Sequence, residues 1–110
     1  MMSRYPSKFE EQAIKEWDAI SKEGTLSLID FIGEIWEYGT MGFIKKGKRV
    51  IKLELHTLGW SGNEDIIQAL KMNFIFWSMN WDMSRRGGHY YFTIKLDRFK
   101  SSMAKVEEKE

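Results

Sequence analysis

Apolar residues recur every three to four positions through the first third of the chain. They alternate with polar ones in two later stretches and fill most positions of one segment between those stretches. Ser7-Lys8-Phe9-Glu10 has the Ser-x-x-Glu form of a capping box, and Phe9, Ala13, Trp17 and Ile20 follow at helical spacing, which predicts a first helix from about 7 to 22. Gly24 is the natural stop. Ser27-Leu28-Ile29-Asp30 then restarts a helix whose Leu28, Phe31, Ile32, Ile35 and Trp36 form an apolar face ending near Gly39, so the two helices are expected as a bent pair. Between Met41 and Thr57 the period changes to two, with Lys45-Lys46-Gly47-Lys48 as the turn of a β-hairpin. On its second strand Ile51, Leu53 and Leu55 face one way and Lys52, Glu54 and His56 the other; a last strand over 89–97 sets Tyr90, Phe92, Ile94 and Leu96 against His89, Tyr91, Thr93 and Lys95.

The segment Asp65 to Asp82 between these strands reads as one long helix. Ser61-Gly62-Asn63-Glu64 repeats the capping-box form at its start, Arg85 and Arg86 suit the negative end of the helix dipole, and Gly87 or Gly88 fits a left-handed C-cap. About 22 helical residues span roughly 33 Å, which holds the two polar ends apart within one subunit. A strand, a helix and another strand imply a crossover whose flanking strands are parallel. The expected fold is therefore α+β in the order α-α-β-β-α-β: a three-stranded mixed sheet with helices on one face, forming one compact domain over 1–99. The run from Lys100 to Glu110 offers only Met103 and Val106 for burial and is expected as a disordered tail. Because Met72, Phe74, Ile75, Phe76, Trp77, Met79 and Trp81 leave little polar circumference on the 65–82 helix, a homodimer through it is expected. Antiparallel two-fold pairing there would bring the Ser61 end of one copy beside the Arg85 end of the other.

Composition narrows the chemistry. The 110 residues carry 17 basic and 16 acidic side chains, a near balance that predicts no broad positive field and makes nucleic acid the less favoured partner. Without cysteine there are no disulfides, thiolate nucleophile or Cys-bound zinc. Charged residues throughout the first twenty positions leave no signal-peptide core, and the apolar run 72–81 is too short and too polar to span a bilayer, so the expected location is the cytoplasm.

The candidate sites follow from what remains. Ser61 and Glu64 are read as structural caps rather than anion ligands, while Trp60 is balanced between a hydrophobic staple and a stacking platform. Arg85, Arg86, His89 and Tyr91 could clamp a phosphate or an acidic protein group, with Trp60 and Asn63 as secondary contacts. No glycine-rich phosphate motif is matched, and no cofactor is expected. His56 and Glu54, two apart on one strand face, could serve as an acid/base pair. The parallel crossover, however, sets His56 and His89 at opposite edges of the sheet, which argues against a metal site and for a solvated polar face. Lys45, Lys46, Lys48 and Arg49 could meet nucleic-acid phosphates but are read as a solubilising turn.

The passage Glu54-Leu55-His56-Thr57, then Gly59-Trp60-Ser61-Gly62-Asn63-Glu64, with the later Ser84-Arg85-Arg86-Gly87-Gly88-His89-Tyr90, resembles a recurring type of small phage-encoded protein. The resemblance covers about the second half of the chain. It implies the cytoplasm of an infected host cell as the setting, and a phage accessory or counter-defence role exerted by binding; it implies no catalytic residues. The leading expectation is a non-enzymatic protein that engages an anionic, nucleotide-like ligand or an acidic patch of a host protein. A small hydrolase or nucleotide-processing enzyme using His56 and Glu54 is the first alternative, and a nucleic-acid binder through 45–49 the second.

Overall fold

The computed structural model describes residues 5–99. The N-terminal capping box forms as the sequence predicts: Ser7 Oγ accepts from Glu10 N at 3.0 Å and Glu10 Oε1 accepts from Ser7 N at 2.9 Å. These bonds start α1, Lys8–Glu16, which is shorter than expected. The next helix, α2, is Lys22–Ile35 and starts at Ser21, whose hydroxyl accepts from Gly24 N at 2.9 Å. Gly24 is thus inside the first turn rather than a stop. A Cβ there would overlap the carbonyl oxygen of Asp18, so glycine is what lets the 17–21 link fold tightly against the helix start. Leu28, Ile29 and Ile32 of α2 are fully buried.

After a 3-10 turn at Gly39–Met41 comes the hairpin β1, Phe43–Lys46, and β2, Val50–His56. The alternation in β2 resolves as predicted: Ile51, Leu53 and Leu55 enter the core while Lys52, Glu54 and His56 face outward. Two helices follow, α3 over Ser61–Met72 and α4 over Phe74–Asn80, then β3, Trp81–Arg85, and β4, His89–Lys95. Residues 96–99 are helical. The expected tail 100–110 lies outside the described residues.

The general class is α+β, with helices on one face of the sheet, but three expectations are corrected. The sheet has four strands in the order β1-β2-β4-β3, and every neighbouring pair is antiparallel. The single long helix does not form, because it breaks at Asn73 and its C-terminal part is strand β3. The Ser61 capping box does not form either: the N-cap of α3 is Trp60, with no side-chain cap, and Ser61 Oγ instead bonds the Tyr5 hydroxyl at 2.7 Å.

One residue explains the break. Asn73 is 4% exposed; its Oδ1 accepts from Phe76 N at 3.1 Å and starts α4, while its Nδ2 donates to the carbonyls of Ile14 and Trp17, each at 2.9 Å. The α3–α4 corner is thereby tied to the end of α1, and a mid-segment asparagine becomes an N-cap. With the rod gone, Ser61 and Arg85 no longer mark the two ends of one helix, so the antiparallel juxtaposition of those ends has no counterpart. The remaining part of the segment turns back because Asn80, 2% exposed, donates to Phe76 O at 3.0 Å and Trp81 is already extended. Gly87 and Gly88, at φ +93 and +83, then close a hairpin rather than a helix. The crossover rule still holds, since β3, not β4, is the strand that follows the helices. Both β3 and β2 run antiparallel to β4 and hence in the same direction, with β4 between them.

The core lies between the helices and the inner sheet face, where Phe76 packs on Phe92 at 5.6 Å and Trp77 on Phe92 at 5.3 Å between ring centroids. Among the described residues no helix is long and apolar enough to cross a membrane. Asn73→Ala should destabilise the fold by about 2–4 kcal/mol, from a lost cap and two stranded buried carbonyls. Urea unfolding checks this, with Asn73→Ser, which keeps an oxygen for the cap and loses the amide donors without burying a charge, expected to fall between alanine and wild type.

Candidate functional site

The outer sheet face carries the even-numbered positions of β2 and the odd-numbered positions of β4. The antiparallel register places His56 directly opposite His89, Glu54 opposite Tyr91 and Lys52 opposite Thr93. This overturns the expectation that the two imidazoles sit at opposite edges. Their Nδ1 atoms are 2.7 Å apart, and His56 Nε2 is 3.1 Å from Glu54 Oε1. The Tyr91 ring stands edge-on to His56 at 5.8 Å. Strand β3 adds Arg85, register partner of His89, and Met83, partner of Tyr91. Lower on the face Lys52 Nζ donates to Thr93 Oγ1 at 2.9 Å, and Thr93 Oγ1 donates in turn to Asp82. A cavity of about 310 Å³ lies on this lower part of the face, lined by Lys52, Glu54, Asp82, Met83 and Tyr91 and not by His56, His89 or Arg85.

The backbone at the histidine pair is held from both sides. His56 N donates to Gly42 O at 2.8 Å, Trp36 Nε1 donates to His56 O at 3.2 Å, and Thr57 N donates to Gly88 O at 2.9 Å. Two glycines permit this approach: a Cβ on Gly42 would stand 2.6 Å from His56 O, and one on Gly88 would overlap the Thr57 hydroxyl. That hydroxyl is buried and has no hydrogen-bond partner among the described residues. His56 is accordingly a well-fixed side chain, only 13% exposed.

Hydrogen-bond logic gives this row a direction. A carboxylate offers only lone pairs, so His56 donates its Nε2–H to Glu54 and presents a bare Nδ1. His89 must then donate Nδ1–H to His56, which leaves His89 Nε2 as the outward nitrogen. A Cβ on Gly87 would lie 3.3 Å from that nitrogen, so glycine keeps this side clear. The arrangement can accept a proton from a bound group at His89 Nε2. With one added proton, the pair presents an N–H and a positive charge beside Arg85.

The expected site residues therefore divide. Arg85, His89 and Tyr91 share the open face with His56 and Glu54, and Arg86 is exposed in the adjoining hairpin turn. Asn63 and Trp60 do not join them. Asn63 is fully buried, its Oδ1 accepting from Glu37 N at 3.0 Å and its Nδ2 donating to Glu37 O at 3.3 Å, so it clamps the chain after α2 to the start of α3. Trp60 lies over Gly62, where a Cβ would overlap its ring, and its centroid is 5.2 Å from that of Tyr5. Asp82 and Met83 are the face residues that the sequence reading left out. Their signal was the Gly87-Gly88 pair between two strand-compatible runs, which is also a hairpin signature. Among the described residues no group of three or more His, Asp or Glu is placed to hold a metal ion.

A larger depression of about 470 Å³ lies by α2 between Asp30, Glu34, Thr40 and Phe43, and no residue of the histidine row lines it. No protein-family model, curated protein or solved structure matches the chain. Nitrogen NMR should find His56 protonated at Nε2 and His89 at Nδ1, and Glu54→Ala should release His56 to populate both tautomers. Mixed tautomers in the unsubstituted protein would remove the relay.

Proposed function

We propose that the chain is a binding protein whose open sheet face takes an anionic, phosphate-bearing ligand at Arg85, Arg86, His89 and Tyr91, with His56 behind His89. The observation that carries this reading is the 2.7 Å contact between His56 and His89 with Arg85 opposite His89 in the β3–β4 ladder. The Arg85 guanidinium and the Tyr91 phenol, joined by the His89 imidazole once it carries an added proton, then share one face of a rigid sheet, where an anion can meet several donors without reordering the backbone. Arg85 and Arg86 are exposed, and their placement in a hairpin removes the helix-capping role that competed with ligand binding. Nothing in this reading needs bond-breaking chemistry, and the resemblance to phage-encoded proteins would set it in an infected cell.

A second reading rests on the Glu54–His56–His89 row, which also suits general acid/base catalysis on the bound ligand. Product formation from nucleotides that disappears in His56→Ala would favour it; retention of intact nucleotide would favour binding alone.

Calorimetric titration with adenosine and guanosine triphosphates tests the leading reading. Replacing Arg85 and Arg86 together by alanine should weaken binding at least about tenfold, the loss of one to two charge-assisted hydrogen bonds. Because both side chains are exposed, stability should stay within about 0.5 kcal/mol of wild type. Equal affinity in the double variant would defeat this assignment.

A further inference from the structure

The near-neutral composition conceals a segregation of charge between the two layers. Residues 7–42, 61–80 and 96–99, which hold the helices, carry eleven Asp or Glu and five Lys or Arg; residues 43–60 and 81–95, which hold the strands, carry two Asp or Glu and eight Lys or Arg. The formal charges are therefore −6 and +6. On the outer face itself Lys46 is the register partner of Lys52 and Lys95 that of Val50, while Arg85 stands at the other end beside His89. Two like-charged lysines opposite each other on neighbouring strands cost stability unless an anion lies between them. The acids on the face are already engaged, Glu54 by His56 and Asp82 by Thr93. The three lysines at one end and Arg85 at the other are set apart by the length of β4, seven residues or roughly 23 Å at 3.3 Å per residue. That length exceeds the reach of any mononucleotide.

We infer that the open sheet face binds a single-stranded nucleic acid, its phosphodiester backbone crossing the basic rows at Lys46, Lys52, Lys95 and Arg85 while Tyr91 gives one base a stacking surface. This rests on the anion-binding reading above and extends its ligand from a single phosphate group to a polyanion. Three features favour a nucleic acid over an acidic protein segment. The charge comes from all four strands and stands at both ends of the face rather than in one clamp, an aromatic ring sits at the centre of the face, and exposed Met83 is its register partner, so a base has an apolar floor. A single strand is favoured over a duplex because a broad sheet face offers stacking to unpaired bases, whereas a duplex hides them.

Fluorescence anisotropy with oligo(dT) and oligo(U) of about ten nucleotides, inside the ~4–16-nucleotide site range of comparable binding surfaces, tests the inference. With four phosphate contacts at about −0.7 each, log K should fall against log salt with a slope near −3, and Lys46→Gln with Lys95→Gln should flatten it by about 1.4. Tyr91→Ala should weaken binding by about tenfold for both oligomers. Nucleoside triphosphate binding lost in the Arg85/Arg86 double variant, with oligomers bound no more tightly than the triphosphate, would overturn the inference and leave the anion site standing. Binding of neither would overturn both. Tighter binding of a duplex, equal binding of polyglutamate, or a salt slope unmoved by the lysine variants would each overturn it as well.

Discussion

β4 is hydrogen-bonded on both edges, to β2 along seven register pairs and to β3 across the Gly87-Gly88 hairpin. This central antiparallel strand is the constraint on which the candidate site depends. Because opposed residues of antiparallel strands share a face, the ladder sets His89 on His56, Tyr91 on Glu54 and Thr93 on Lys52 without any further interaction. A shift of one residue would turn Phe92 and Ile94, both fully buried, outward to solvent. The burial of those two side chains therefore fixes the register, and the register fixes the polar row on the opposite face.

The second constraint is the corner at Asn73. Its buried amide joins three chain segments, α1, α3 and α4, and converts what would be one helix into two. The corner shortens the helical crossover enough for Trp81 to start a strand, where it stacks on Trp77 at 6.0 Å. Asn63 acts similarly at the other end of α3, holding the Glu37 backbone through two hydrogen bonds. Two asparagines that read from composition as ordinary polar residues are thus buried fixtures of the fold.

Charge follows the layers. The helices collect carboxylates and the strands collect lysine and arginine, so a chain with almost no net charge presents two faces of opposite sign. Net charge alone measures the sum and is blind to this separation, whereas a ligand responds to the local field. The ion pair of Lys45 with Asp30, 3.3 Å, lies across the boundary between the layers and stitches β1 to α2. Such a seam is worth little as an exposed pair, but it marks where the sign changes.

Local pattern alone determined the Ser7 capping box, the apolar faces of α2 and β2, the first hairpin and the burial of Phe92 and Ile94 in β4, because each of these is a local match between side-chain spacing and backbone geometry; the expected face of the first helix did not hold, since Phe9 and Ile20 are exposed and Ile14 is the buried residue of α1. The α+β class and the helix-covered sheet face followed from them. What only the tertiary structure decided was the fate of residues 65–88. A largely apolar run interrupted by Asn73 and Asn80 fits one helix or a helix, a corner and a strand, and the choice came from Asn73 finding the carbonyls of Ile14 and Trp17, 59 and 56 residues earlier in the chain. Arg85 and the two glycines fit a helix end and a hairpin alike, and β3 pairing with β4 selected the hairpin. The histidine pair was invisible for the same reason. Strand direction is a property of the assembled sheet, and one additional strand reversed it, carrying His89 from the far edge to within hydrogen-bond reach of His56.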